Sequence, residues 1–249
     1  MKPNSKPPPS TTLCKECLYI VIPAYNEAAN IVSVAREWHE VVKYISEDSR
    51  IVIMDDGSKD NTYTMLESLK AELPQLIALT KPNGGHGATV LFGYHYALNQ
   101  HADYIFQTDS DGQTSAAEFW DFWKLRTVYP AIIGYRNKRK DGLSRILVSK
   151  VLKIVLRSVF KVNIPDANTP FRLFRNDVLR RYISKIPNDF NLSNVLLTVL
   201  LVKNEEKIKF IPITFRTRQG GVNSINLRRI AKIGWQAIKD FRALKKTIS

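Results

Sequence analysis

From residue 18 onward the chain alternates short apolar runs with longer stretches of amphipathic spacing. Leu18–Ile22 is a β-rich run closed by Pro23, and the stripe Ile31, Val34, Ala35, Trp38, Val41, Val42 predicts a helix opening at Asn26. Ile51–Met54 reads as a second buried strand, closed by Asp55-Asp-Gly-Ser58. Asp60 or Asn61 then stands where it can cap a helix running to about Leu73. Leu76–Leu79 is a third strand, Asn83–Gly87 a flexible turn and Ala88–Leu98 a further helix. Tyr104–Gln107 and Ala131–Gly134 supply a fourth and a fifth strand. Strands and helices at this spacing predict right-handed crossovers and an α/β fold, an open, mostly parallel sheet flanked by helices. Ligands of such sheets sit outside the carboxyl ends of the strands.

The pattern changes after Gly134. Arg145–Lys161 reads as a helix with Lys150, Lys153, Arg157 and Lys161 on one face and Leu147, Val148, Val151, Val155 and Val159 on the other. A polar run Pro165–Arg172, a helix near Asn191–Val202 and a strand at Lys207–Ile213 follow. Last comes a basic helix, about Ser224–Lys246, with Arg228, Lys232, Lys239, Lys246 and Trp235 opposite an apolar side of Ile230, Ile233, Ala237, Phe241 and Leu244. The domain expectation is a disordered tail over 1–17, a catalytic domain over 18–222, and an amphipathic C-terminal helix over 223–249. Residues 1–12 hold four prolines and almost no apolar side chains, which is why they read as a tail.

Composition adds three points. With 249 residues and 44% hydrophobic content the chain can bury a full core. It shows no N-terminal signal-like apolar segment, and runs such as Val195–Val202 are too short to span a bilayer, so a cytoplasmic location is expected. Cys14 and Cys17 make at most half of a zinc site and read better as two free thiols. The net charge of +14 is uneven: residues 135–161 hold nine Lys/Arg against Asp141, and 207–249 hold eleven against Asp240. Localised basicity points to an anionic surface or ligand. Basic amphipathic helices with an interfacial Trp fit a membrane surface; the alternative is that their apolar faces dock on the core.

Polar clusters fall at three successive strand ends: Pro23–Glu27, Asp55–Asp60 and Asp109–Gln113. In an extended strand residues i and i+2 point the same way, so Asp109 and Asp111 can face one ion. Hard cations such as Mg²⁺ or Mn²⁺ take carboxylate oxygens together with substrate phosphates. A carboxylate also accepts hydrogen bonds from a base N–H or ribose hydroxyls, and Tyr25 offers a stacking face. For Pro23–Glu27 the plain alternative is a helix N-terminus; for the glycines at 84, 85 and 87 it is a loose turn.

With Pro23-Ala-Tyr-Asn-Glu27, Asp55-Asp-Gly-Ser-Lys-Asp60, Gly84-Gly-His-Gly-Ala88 and Asp109-Ser-Asp111 in this order, the chain resembles family-2 glycosyltransferases over roughly residues 18–222. Within them it is similar to the dolichol- and polyprenyl-phosphate glycosyl (mannosyl or glucosyl) synthases. The resemblance implies a GT-A (nucleotide-diphospho-sugar transferase) fold, a UDP- or GDP-sugar donor and Mg²⁺ or Mn²⁺. It places Pro23, Tyr25, Glu27, Asp55 and Asp56 around the nucleotide, and lets the backbone at Gly84, Gly85 and Gly87 approach the donor. Asp109 and Asp111 match the metal-binding pair, with Gln113 as a third, amide-oxygen ligand. Arg136 and Arg145 match residues that hold the acceptor phosphate, a task suited to a planar guanidinium. Solvated or membrane-facing charge is the alternative for both. Asp166 matches an acid that serves as a base toward a hydroxyl acceptor or orients a cation, with turn capping as the alternative. Arg216, Arg218 and Ser224 match a terminal segment that closes over the donor diphosphate. Gly112-Gln-Thr-Ser115 departs from the Leu-Gln-His-Pro type common in that branch, which bears on subfamily rather than on metal binding.

No Arg-Trp or Glu-Asp pair follows Val162, which argues against the processive polysaccharide synthases of the wider family. The expectation is thus an inverting hexosyl transfer to polyprenyl phosphate at the inner face of a membrane. Its alternative is transfer to a hydroxyl of a lipid-linked saccharide in cell-surface polysaccharide assembly. A nucleic-acid-binding role has no use for the ordered acid clusters. A sugar nucleotidyltransferase would open with a glycine-rich loop after the first strand, where Pro23–Glu27 has no glycine.

Overall fold

The computed structural model describes residues 16–136, 143–216 and 241, and for residues 143–149 the backbone alone. β1 (Leu18–Ala24), β2 (Arg50–Asp55), β3 (Leu76–Thr80), β4 (Tyr104–Gln107), β5 (Ala131–Arg136), β6 (Arg172–Arg175) and β7 (Ile208–Ile213) form one sheet in the order β3-β2-β1-β4-β6-β5-β7. β1, β2, β3 and β4 run parallel, as do β5 and β7; β6 is inserted antiparallel to both β4 and β5. The sheet is flanked by α1 (Ile31–Ile45), α2 (Thr62–Leu69), α3 (His86–Asn99), α4 (Phe119–Trp123), α5 (Leu143–Phe160), α6 (Asn176–Ile183) and α7 (Ser193–Lys203).

All seven residues of β1 are buried because helices cover both faces of the sheet. Strand alternation sorts them: Leu18, Ile20 and Ile22 enter the core under α1 and α4, while Tyr19 and Val21 enter the core under α3, α6 and α7. In the first core Trp38 packs on Phe106, Phe119 and Phe171 with ring centroids 5.3, 6.2 and 6.0 Å apart. A third cluster joins α5 to α7 through Leu156, Phe160, Val195 and Val199, with Phe241 fully buried among them. The apolar side expected of the C-terminal segment therefore packs on the domain at Phe241; the rest of 223–249 lies outside the described residues.

Several boundaries differ from the sequence expectation. α1 starts at Ile31, because Asn26 takes a left-handed turn (φ 54°) and pins the first strand-end loop to the second. Its N–H donates to Ser58 Oγ at 2.9 Å, and its Oδ1 accepts from the Lys59 N–H at 2.8 Å. α2 stops at Leu69; Asn61 takes the N-cap position without a side-chain bond, and Asp60 before it accepts from the Thr62 N–H at 3.0 Å. α3 opens two residues early, at His86. Glu16 and Cys17, assigned to the tail, belong to the domain: Glu16 pairs with Arg126 at 2.6 Å, and the Cys17 N–H donates to Asp103 at 2.7 Å. Burial, with Asp103 and Asp48 nearby, pushes the Cys17 thiol up to about 11, so it is a poor thiolate ligand; Cys14 lies outside the described residues. On α5, Val155 is buried and Val159 partly so, but Val151 and Ile154 are 37% and 65% exposed beside Lys150, Lys153 and Arg157. The outward face is therefore mixed basic and apolar. No helix among the described residues is long and apolar enough to cross a membrane.

Candidate active site

At the carboxyl edge of β1, β2 and β4 the sheet opens into a crevice of about 400 Å³. Pro23, Tyr25 and Glu27 wall it from the end of β1, Asp56 from β2, Gly85 and His86 from the start of α3, and Asp109 and Asp111 from the turn after β4. The three clusters predicted at strand ends thus meet in one place, as the open-sheet rule requires.

Asp56 holds the floor together. Its two oxygens accept from the Gly84 and Gly85 N–H groups at 2.9 Å each, and Lys81 Nζ pairs with it. Burial alone would raise this carboxyl, yet Lys81 and the Gly84 N–H hold it below the usual carboxylate range. Asp55, expected beside the nucleotide, is buried and serves the loops: it accepts from the Ser58 N–H and from Thr80 Oγ1 at 2.9 Å. Gly87, expected to admit the donor, is required by the chain itself: a Cβ there would lie 2.3 Å from the Phe190 carbonyl oxygen. Gly85 has φ 86°, which favours glycine at the turn into α3. Tyr25 is 42% exposed, its ring open to the crevice. Glu27 is buried and accepts from Asn30 Nδ2 at 2.9 Å.

β4 ends at Gln107, so Asp109 and Asp111 sit in a turn closed by Gly112 (φ 69°), and they share the crevice through that turn rather than by strand alternation. Asp109 Oδ1 lies 2.9 Å from His86 Nε2. Desolvation opposes protonation of that ring, but Asp109, with Asp111 and Asp56 behind it, holds the imidazole above the usual histidine range. Asp111 accepts from the Gln113 N–H at 3.1 Å. Gln113, expected as a third metal ligand, is buried and turns its Nε2 to the Arg216 carbonyl at 2.8 Å. Among the described residues no three His, Cys, Asp or Glu side chains form a complete cage. Two carboxylates on one wall fit a hard cation whose remaining ligands come from phosphate oxygens and water.

Arg216 is locked beside this turn, its N–H donating to the Gln113 carbonyl at 2.8 Å and its Nη2 to Ser115 Oγ at 3.0 Å. Its neighbour Phe215 lies under the Arg136 guanidinium, 5.2 Å from ring centroid to Cζ. Arg136 and Asp166, predicted separately, form one bidentate pair at 2.7 and 3.0 Å. The Arg145 side chain, Arg218 and Ser224 lie outside the described residues.

Two residues of this region escaped the sequence reading. His86 stands in a glycine run 23 positions from its partner Asp109; the start of a helix at a strand's carboxyl edge was the available signal. Arg172 is wholly buried, has no carboxylate hydrogen-bonded to it among the described residues, and donates to the carbonyls of Ala167, Thr169 and Asn194 at 2.6, 2.5 and 2.9 Å. Burial pulls its guanidinium down to about 10. It ties the turn after Asp166 to α7.

The open sheet with an acid-lined crevice at its carboxyl edge has the architecture of a GT-A fold. Residues 19–183 match Glycosyl transferase family 2, and the chain belongs to that family of glycosyltransferases. Similar curated proteins include a polyprenol monophosphomannose synthase of Mycolicibacterium smegmatis, 24% identical over 88% of this chain and 84% of the relative. An undecaprenyl-phosphate 4-deoxy-4-formamido-L-arabinose transferase of Pseudomonas fluorescens is 26% identical over 66% of this chain. This chain spans 48% of that transferase's length, about half, as with several of the other curated relatives. A dolichyl-phosphate beta-glucosyltransferase of Trichomonas vaginalis is 27% identical over 70% of this chain and 58% of its own length. Among solved structures, glucosyl-3-phosphoglycerate synthase of Mycobacterium tuberculosis, in complex with Mn²⁺ and UDP, superposes with a TM-score of 0.67 at 14% identity, covering 93% of this chain and 81% of that one. That likeness supports the fold.

Proposed function

We propose that this glycosyltransferase moves a sugar from a nucleotide-sugar to a polyprenyl phosphate, with inversion at C1 and with Mg²⁺ or Mn²⁺. The convergence of Asp56, Asp109, Asp111 and the exposed Tyr25 ring in one crevice carries the reading. Tyr25 and Glu27 flank the base, Asp56 orders the glycine turn at Gly84 and Gly85 beneath the donor, and Asp109 with Asp111 holds the cation. The cation, when bound, neutralises charge on the departing diphosphate. Arg216, with Arg218 and Ser224 beyond it, closes the diphosphate side.

The acceptor class is supported by the relatives named for polyprenyl, undecaprenyl and dolichyl phosphates. Arg136, stacked on Phe215 and braced by Asp166, offers a pre-aimed guanidinium for that phosphate, with Arg145 as its companion. A phosphate acceptor is ionised at neutral pH and needs no general base, so an Asp166 committed to Arg136 is compatible with the reaction. In-line attack by a phosphate oxygen on the face opposite the diphosphate inverts C1. Docking at the inner face of a membrane is supported by the exposed Val151 and Ile154 among the cations of α5. Within this reading the catalytic domain takes in Glu16 and Cys17 and runs to about residue 222, and 223–249 is a basic segment that serves the same membrane surface.

The test supplies UDP- and GDP-sugars with Mn²⁺ and compares three acceptors in vesicles: polyprenyl phosphate, polyprenol and a lipid-linked saccharide. Sugar found only on polyprenyl phosphate, in the anomeric configuration opposite to the donor's, supports the reading. Transfer to the saccharide hydroxyl instead establishes the alternative acceptor.

A further inference from the structure

Among the described residues that line the crevice, carboxylates outnumber cations. Four carboxylates, those of Glu27, Asp56, Asp109 and Asp111, face it. The nearby Lys81 ammonium is committed to Asp56 and 17% exposed. A nucleoside diphosphate brings further negative charge, so beyond a cation and the arginines proposed to close its far side it needs hydrogen-bond donors within the crevice. His86 is placed to be one: its side chain is 51% exposed, it lines the crevice, and it is the first residue of a 14-residue helix whose amide end faces the same space. At present its Nε2 spends its hydrogen bond on Asp109 Oδ1 at 2.9 Å. A cation bound at Asp109 and Asp111 competes with the ring for that oxygen.

We propose that His86 contacts the donor diphosphate, passing its Nε2 hydrogen bond from Asp109 to a phosphate oxygen once Asp109 turns to a cation. This rests on the proposed function. In the cation-free protein His86 screens the Asp109 carboxylate; with donor and cation present it becomes part of the diphosphate cradle. The residue is therefore a competitor for the cation and a helper for the diphosphate, two effects of opposite sign. A side chain that merely buttressed Asp109 would help both.

The opposition is measurable on the full chain by titration calorimetry. Mn²⁺ alone is titrated first, then UDP and GDP, each against its monophosphate, with Mn²⁺ present. His86→Ala is expected to bind Mn²⁺ at least as tightly as the parent. It should lose about tenfold in affinity for whichever diphosphate the parent holds, the usual weight of one hydrogen bond to a charged group, with the monophosphate unchanged. His86→Gln, which keeps an N–H donor, should recover part of that loss. Equal weakening of Mn²⁺ and diphosphate binding in His86→Ala would overturn the proposal, as would an unchanged diphosphate affinity. A parent protein that binds neither Mn²⁺ nor a nucleoside diphosphate would overturn the functional reading, and this inference with it.

Discussion

Replacing Asp56 by Ala removes the acceptor on which the floor of the crevice is built. Two backbone N–H groups, of Gly84 and Gly85, and the Lys81 ammonium all end on this carboxylate, and the residue is 3% exposed. Stripping one partner from a buried ion pair costs about 3–5 kcal/mol. Lys81 retains some access to water, which favours the lower end, about 3 kcal/mol. In a domain of this size each kcal/mol moves Tm by about 2–4 °C, so Asp56→Ala should melt roughly 6–12 °C below the parent. Asp56→Asn keeps one acceptor oxygen and should lose about half as much. Because the folded carboxyl sits below its unfolded value, its contribution is complete above about pH 4 and is lost as pH falls through the folded pKa. The gap between parent and Asp56→Ala should therefore be full at pH 7 and shrink in acid. Urea denaturation at a series of pH values measures this. A gap under about 0.5 kcal/mol at pH 7, or one that widens in acid, refutes the reasoning.

Three further outcomes follow from particular contacts. His39 is 5% exposed, and neither ring nitrogen has a hydrogen-bond partner among the described residues. Burial lowers its pKa, so the neutral ring is favoured on folding and the stability it permits is lost as pH falls below the usual histidine range; His39→Leu should gain about 1–2 kcal/mol at pH 5.5 and less at pH 7.5, and a loss at both would contradict this. Gly87→Ala drives a methyl into the Phe190 and Asn191 carbonyl oxygens, and should destabilise by about 1–3 kcal/mol in denaturant; a neutral result would show that the 190–191 backbone yields freely. Arg136→Lys replaces a bidentate fork by a point charge, so steady-state kinetics should show a higher acceptor KM and lower kcat with the donor KM unchanged; an equal loss of donor binding would assign Arg136 to the nucleotide diphosphate.

Where periodicity was strong the sequence told the fold: β1, β2, β4 and α1 bury the residues their spacing selected, as Trp38 and Ile53 show. It failed where local signals were outvoted. β6 has four residues with an arginine at each end, and Arg172 is buried because carbonyls of a distant turn and of α7 receive it. No single-strand pattern announces that, nor that this strand runs antiparallel between β4 and β5. On α5 the division into basic and apolar faces misplaced Val151, which is exposed, since the buried stripe is set by where α7 and Phe241 lie. In the site, clustering at strand ends was legible because the open-sheet rule converts chain order into one edge. Pairings across it were not: Arg136 with Asp166, and His86 with Asp109, are contacts of loops far apart in sequence. Asp55 and Asp56 are neighbours with opposite duties, and only the register of β2 turns one inward and leaves the other on the wall.

The central claim is metal-dependent sugar transfer through the Asp109–Asp111 wall. It is tested most directly by following labelled sugar from the nucleotide donor into polyprenyl phosphate, for the parent and Asp111→Ala, in EDTA and after Mn²⁺ is restored. The account predicts transfer by the parent that stops in EDTA and returns with Mn²⁺. It also predicts no transfer by a folded Asp111→Ala at any Mn²⁺ concentration. Full transfer in EDTA, or by Asp111→Ala, would contradict it.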